Sequence, residues 1–197
     1  MMKKTLHRRD VVARLLEDRG ELLVISGLSA VFDITAAGDD QLNFPMWGAM
    51  GGGAMMGLGL ALAQPRRRVL VVTGDGEMLM GLGALATIAV MKPKNLSVVV
   101  LDNEHYAETG MQESHTGHGV DMAGMAKAAG FKHALRIDSQ SGVSRLHRLI
   151  HKGDGPLFAA VKIVAERLSM ELPPRDGSYL KHRFRIALLG PGALYDE

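Results

Sequence analysis

Four short segments, residues 22–26, 69–73, 96–101 and 157–164, are apolar almost throughout instead of alternating polar and apolar positions. A strand of that kind needs cover on both faces, which a parallel sheet flanked by helices gives and a sheet with one wet face does not. The stretches between the strands supply the helices. Asp10 is placed to cap a helix running through Arg19, with Gly20 at its C′ position. The glycine-dense run 47–59 opens a helix ending before Pro65, and residues 77–91 read as one helix closed by Lys92-Pro93. A polar stretch through Gly119 leads to a helix near 121–129, a short strand around 134–137 and a helix capped by Ser139 or Ser141. This alternation predicts an α/β fold, a parallel sheet with helices on both faces, whose ligands bind at the carboxyl ends of the strands.

At 197 residues the chain is expected to form one domain, 1–197, with residues 170–197 as a C-terminal arm that is either irregular or a contact helix. Composition removes several functions. With 23 Lys+Arg against 21 Asp+Glu the net charge is +2, too balanced for the one-sided basic field of a nucleic-acid binder. The absence of cysteine excludes disulfides, iron–sulfur clusters, thiolate zinc sites and thiol nucleophiles, and fits a reducing compartment. Residues 1–9 are basic but lead into charged helix, unlike a secretory signal, and the longest apolar run, 44–64, is too rich in glycine and methionine for a membrane span. A cytoplasmic protein without nucleic-acid or membrane partners is expected.

Two strand ends carry chemistry. Gly74-Asp75-Gly76 places a carboxylate beside backbone amides at a helix start; alone it reads as a strand-to-helix turn capped by Asp75. Asn103 follows Asp75 by 28 positions and again directly succeeds an apolar strand, so two oxygen ligands sit at adjacent strand ends. A magnesium ion held by Asp75, Asn103 and a main-chain carbonyl just beyond still needs oxygens, which a diphosphate supplies. Neither a Gly-x-Gly-x-x-Gly between a strand and its helix nor a Gly-Lys-Ser/Thr is present, which removes the dinucleotide and P-loop readings.

The run from Gly74-Asp75-Gly76 to Asp102-Asn103 resembles the Gly-Asp-Gly…Asn-Asn signature of thiamine diphosphate-dependent enzymes, with Asp102 in place of the first amide. The resemblance implies thiamine diphosphate and Mg2+ as cofactors. It implies metal ligation by Asp75, Asn103 and the main-chain oxygen of His105, and cofactor contacts from Gly74, Gly76, Glu77 and Tyr106. Trp47-Gly48-Ala49-Met50-Gly51 resembles the family's Gly-x-Met-Gly segment, which implies that Met50 wedges the cofactor into its V shape and that the Gly48 carbonyl accepts from the 4′-amino group. Ser29 occupies the place of a diphosphate contact. Residues 108–112 and 115–117 resemble the loop of the sulfopyruvate and phosphonopyruvate decarboxylases, in which this domain is a separate β subunit; there His115 is a candidate proton donor or substrate contact. His115-x-x-His118 has no third ligand in view, against a zinc site.

The implied reaction is decarboxylation of a small 2-oxo acid, with the cofactor's C2 carbanion attacking the oxo carbon and then taking up the electrons as carbon dioxide leaves. In the family a glutamate on a pyrimidine-binding domain drives the cofactor's amino–imino shift. Glu77, Glu104, Glu108 and Glu113 all lie beside the diphosphate segment and none matches it. The expected partner is therefore a pyrimidine-binding α subunit carrying that glutamate, in an α₂β₂ or larger assembly. Met55, Met56, Met78 and Met80 belong to the partner surface if their helices face outward and to the core otherwise. An acetolactate synthase-type carboligase and a non-catalytic assembly subunit of the same fold remain as alternatives.

Overall fold

The structure, a computed structural model, describes residues 5–195. Helix α1 (Arg8–Leu16) leads to strand β1 (Leu23–Ser26), α2 (Ala30–Ala36), β2 (Asn43–Pro45), α3 (Gly53–Ala63) and β3 (Val69–Gly74). Then come α4 (Asp75–Met80), α5 (Ala84–Met91), β4 (Leu96–Asp102) and a small hairpin of β5 (His105–Tyr106) and β6 (Gln112–Glu113). Helix α6 (Met122–Ala129), β7 (His133–Ile137), α7 (Gln140–Lys152), β8 (Leu157–Lys162) and α8 (Gly177–Leu189) complete the chain, followed by a single 3₁₀ turn. Among the described residues no helix is long and apolar enough to cross a membrane.

Six strands form one parallel sheet in the order β2-β1-β3-β4-β8-β7. As the apolar segments require, β1, β4 and β8 are buried along their whole length, and β3 as far as Thr73. Val24, Leu70, Val72 and Val99 pack on one face against Val12, Leu15 and Ile34 of α1 and α2 and Leu146 and Ile150 of α7. Ile25, Val71, Val98 and Val100 pack on the other against Leu58 of α3, Ile88 of α5 and Ala126 of α6. The chain leaves β1 toward α2 on one face and β3 toward α4 and α5 on the opposite face. The switch point of the sheet therefore lies between the carboxyl ends of β1 and β3, where such folds open a crevice.

Local chemistry sets the helix ends. Asp121 accepts from Gly124 N at 3.0 Å and Ser139, not Ser141, from Gly142 N at 3.3 Å, each closing an N-terminus. Asp10 does not cap α1: that helix starts three residues earlier, at Arg8 after His7, and stops at Leu16. The single helix expected over 77–91 is two, because the chain turns at Gly81. A Cβ there would lie 2.1 Å from the Gly51 carbonyl oxygen, so only glycine lets the end of α4 meet the 47–52 loop this closely. Helix α2, the edge strand β2 and the hairpin were not expected. Beyond β8 the chain is irregular to Asp176, whose side chain caps α8; Phe184 of that helix packs edge-on against Phe44 of β2 at 5.3 Å.

Candidate cofactor site

The crevice at the switch point is a cleft of about 110 Å³. Leu28 and Ser29 enter it from the turn after β1, Gly74, Asp75, Gly76 and Glu77 from the turn after β3, and Leu101 and Asn103 from β4 and its end. Met50 closes one side, and His105 and Tyr106 of the hairpin another. Three turns separated by tens of residues thus converge because parallel register brings Ser26, Val72 and Val99 abreast.

Asp75 is buried at 2% exposure and its carboxylate accepts from the hydroxyls of Ser114 and Thr116, the latter at 3.0 Å. Burial raises its pKa above the ordinary aspartate value and the nearby Asp102 carboxylate adds to this, while the two hydroxyls act the other way. The Asn103 amide oxygen faces the same hairpin, accepting from His105 N at 2.9 Å, and the His105 ring turns back, Nδ1 3.0 Å from the Asn103 carbonyl. The Tyr106 ring lies against Gly76, where a Cβ would sit 2.3 Å from a ring carbon. Glu77 ties the strand ends together. Its Oε2 accepts from Thr73 Oγ1 at 2.7 Å and from the backbone N–H of Leu28 at 3.2 Å, while Oε1 is buried without a partner. Burial raises the Glu77 pKa against the pull of the hydrogen bonds from Thr73 and Leu28.

Met50 follows Ala49, a non-glycine residue held at φ +54°, and precedes Gly51 at φ +86°; its side chain is 40% exposed. Such strained backbone clusters at binding sites. Of the residues singled out from sequence, Ser29, Met50, Gly74, Asp75, Gly76, Glu77, Asn103, His105 and Tyr106 line this one cleft. Gly48 and His115 do not line it: Gly48 is exposed in the 47–52 loop, and His115 is exposed with Nδ1 3.3 Å from the Tyr106 hydroxyl. His115 points outward from a turn closed by Gly117 N on the Ser114 carbonyl at 3.0 Å, with Ser114 and Thr116 buried on either side of it.

Sequence reading missed Arg8, whose guanidinium pairs with the buried Asp33 at 2.7 Å, donates to the Ser29 carbonyl at 3.2 Å and lines the cleft. It also missed Ser114, Thr116 and Lys162; a lysine in an otherwise apolar strand was the available signal for the last. A larger cavity of about 400 Å³ adjoins the cleft through Arg8 and residues 107–109. Its walls hold Arg8, Arg9 and Arg167 against Asp33, Glu108 and Glu166, so it offers an anion no net charge.

The donor set suits a hard cation: one carboxylate and one amide oxygen, with no group of three or more His, Cys, Asp or Glu side chains among the described residues to hold a softer metal. Beside backbone amides at a switch point, that pair suits a cation and a phosphorylated cofactor. The sequence matches the family of thiamine pyrophosphate enzymes, by its C-terminal TPP binding domain, over residues 28–161, and the chain belongs to that family. Thiamine diphosphate is its cofactor, and the chain is part of an enzyme. It is similar to the sulfopyruvate decarboxylase subunit beta of Methanocaldococcus jannaschii, 38% identical over 185 residues that cover 92% of this chain and 96% of that one. It is also similar to the phosphonopyruvate decarboxylase of Streptomyces viridochromogenes, 36% identical over 156 residues, 79% of this chain but 39% of the longer relative. The fold superposes on the 4-hydroxybenzoylformate decarboxylase of Rhodococcus jostii with a TM-score of 0.69 at 17% identity, over 84% of this chain and 34% of that one.

Proposed function

We propose that this chain is the diphosphate-binding β subunit of a thiamine diphosphate- and Mg2+-dependent 2-oxo acid decarboxylase of the sulfopyruvate or phosphonopyruvate type. The observation that carries this is the cleft itself, which gathers Asp75, Asn103 and Met50 from three separate turns at the switch point. Asp75 and Asn103, with the His105 main chain, would hold the ion; Ser29 and the 74–77 turn would receive the diphosphate, and Met50 would support the rings. Glu77 and Arg8 fix the 27–29 turn from beneath, through Leu28 N and the Ser29 carbonyl. When bound, thiamine diphosphate supplies the carbanion and electron sink of decarboxylation.

Met50 is exposed at the edge of the cleft, and this is where a pyrimidine-binding α subunit with the catalytic glutamate would dock, in an α₂β₂ or larger assembly. Support comes from exposed apolar side chains on α3, α4 and α5: Met55, Met56, Leu62, Met80, Val90 and Met91 are 41–78% exposed; Met78 instead is core. A relative with the subunit name spans this chain's length, whereas the phosphonopyruvate decarboxylase relative carries a further three-fifths. In this reading residues 1–197 form one domain, with 170–197 an arm anchored by α8. Isothermal titration with thiamine diphosphate and Mg2+ tests the site. Wild type should bind and Asp75→Ala should not; equal affinity in the variant removes the metal-site assignment.

A further inference from the structure

Lys162 is the one charged residue of β8, at the carboxyl end of an otherwise apolar strand, and is only 7% exposed. Parallel register sets it directly opposite Asp102 of β4. Its Nζ lies 2.7 Å from Asp102 Oδ2 and 2.8 Å from Glu104 Oε1. A buried lysine held by two carboxylates at a sheet's functional end is not explained by packing, since an apolar residue would continue the strand at no cost in desolvation.

The connection runs on to the cleft. Asp102 is itself buried, and its Oδ1 accepts from Thr116 Oγ1 at 2.8 Å; the same hydroxyl lies 3.0 Å from Asp75 Oδ2. A threonine hydroxyl has one proton and serves one carboxylate at a time. Asp75 also receives the Ser114 hydroxyl, whereas Asp102, when Thr116 turns to Asp75, is left to Lys162. Asp102 stands where the signature motif has an amide, which would need no counter-ion. The side chains Asp75, Asp102, Glu104 and Lys162 together carry a charge of −2; without the lysine they carry −3.

We propose that Lys162 is a positioning residue for the cation site: it neutralises Asp102, so that Thr116 and Ser114 orient Asp75, and it holds the local charge at a value that accepts a cation together with a diphosphate in preference to a cation alone. The proposal rests on the cofactor reading above. Loss of the lysine charge leaves Asp102 uncompensated, with only the Thr116 hydroxyl between it and Asp75, an arrangement that attracts a bare divalent ion and repels a diphosphate. Removing the Asp102 charge as well restores the original sum.

The test uses the full chain assembled with its partner subunit and two titrations, Mn2+ alone followed by electron paramagnetic resonance of the free ion, and thiamine diphosphate at saturating Mg2+ followed by calorimetry. Lys162→Met should bind Mn2+ about tenfold more tightly and thiamine diphosphate about tenfold more weakly than wild type. Asp102→Asn/Lys162→Met should return both constants to within about threefold of wild type. Lys162→Gln, which keeps a hydrogen-bonding head without the charge, should follow Lys162→Met and serves if the methionine variant does not fold. Unchanged constants in the Lys162 variants overturn the proposal, and so does a loss that Asp102→Asn does not reverse, which marks Lys162 as merely structural. A wild-type protein that, with its partner subunit present, binds no thiamine diphosphate with Mg2+ overturns the cofactor reading and this proposal with it.

Discussion

Replacing Glu77 separates its tethering role from its charge. In wild type one carboxylate oxygen receives both the Thr73 hydroxyl and the Leu28 N–H, joining the end of β3 to the turn after β1. Glu77→Ala leaves two donors without their acceptor in a region that is largely closed to water. Hydrogen bonds to a charged group contribute about 1.5–3 kcal/mol each, and the longer Leu28 bond belongs at or below the low end, so the loss should be about 2–4 kcal/mol. For a urea slope of about 2 kcal/mol/M this moves the unfolding midpoint down by about 1–2 M. Glu77→Gln keeps an acceptor oxygen for both donors and places its amide nitrogen where Oε1 already lacks a partner. Its amide N–H donors gain no acceptor there and the charge is lost, so it should lose about 1–2 kcal/mol, less than the alanine variant. Urea unfolding of the three proteins, followed by circular dichroism, reads both numbers. A Glu77→Ala variant as stable as wild type, or a Glu77→Gln variant as damaged as the alanine one, refutes the tether.

Asp33→Ala should cost about 3–5 kcal/mol in the same assay, because it strands the buried Arg8 guanidinium; a loss below 1 kcal/mol would show that the pair is dispensable. The His147 and His151 rings meet at 4.3 Å, tilted by 38°, with each Nε2 2.9 Å from a carbonyl at the end of α1, and burial holds both below the ordinary imidazole pKa. The unfolded chain then binds more protons, so stability present above about pH 6.5 is lost as pH falls below it. Thermal melts from pH 7.5 to 5.5 should show that slope, and His147→Gln/His151→Gln should flatten it; an identical slope in the variant assigns the effect elsewhere. Met50→Ala should slow exchange of the cofactor's C2 proton about tenfold in the assembled enzyme, as read by NMR after acid quench, and an unchanged rate removes its supporting role.

The sheet was legible because strands buried on both faces cannot hide their composition: β1, β3, β4 and β8 each fall within a residue or two of the apolar segments. Its edges were not. Strand β2 has three residues and only Asn43 is buried, so neither length nor pattern announces it. The 77–91 stretch looked like one helix because the contact that breaks it, Gly81 on Gly51, joins positions thirty apart. At the site, motif residues separated by a strand and its helix were recognisable, whereas supports such as Arg8, Thr116 and Lys162 acquire their roles only through register and packing. Asp102 shows the difference plainly. Its departure from the amide pattern was visible in sequence, but its partner on β8 was not.

Native mass spectrometry of the protein purified from its source organism tests the central claim most directly, because one spectrum reports bound cofactor and bound subunits. The account predicts a complex of this chain with a second, different chain, carrying thiamine diphosphate and Mg2+. A homo-oligomer that carries neither, and that takes up neither when both are added, would contradict it.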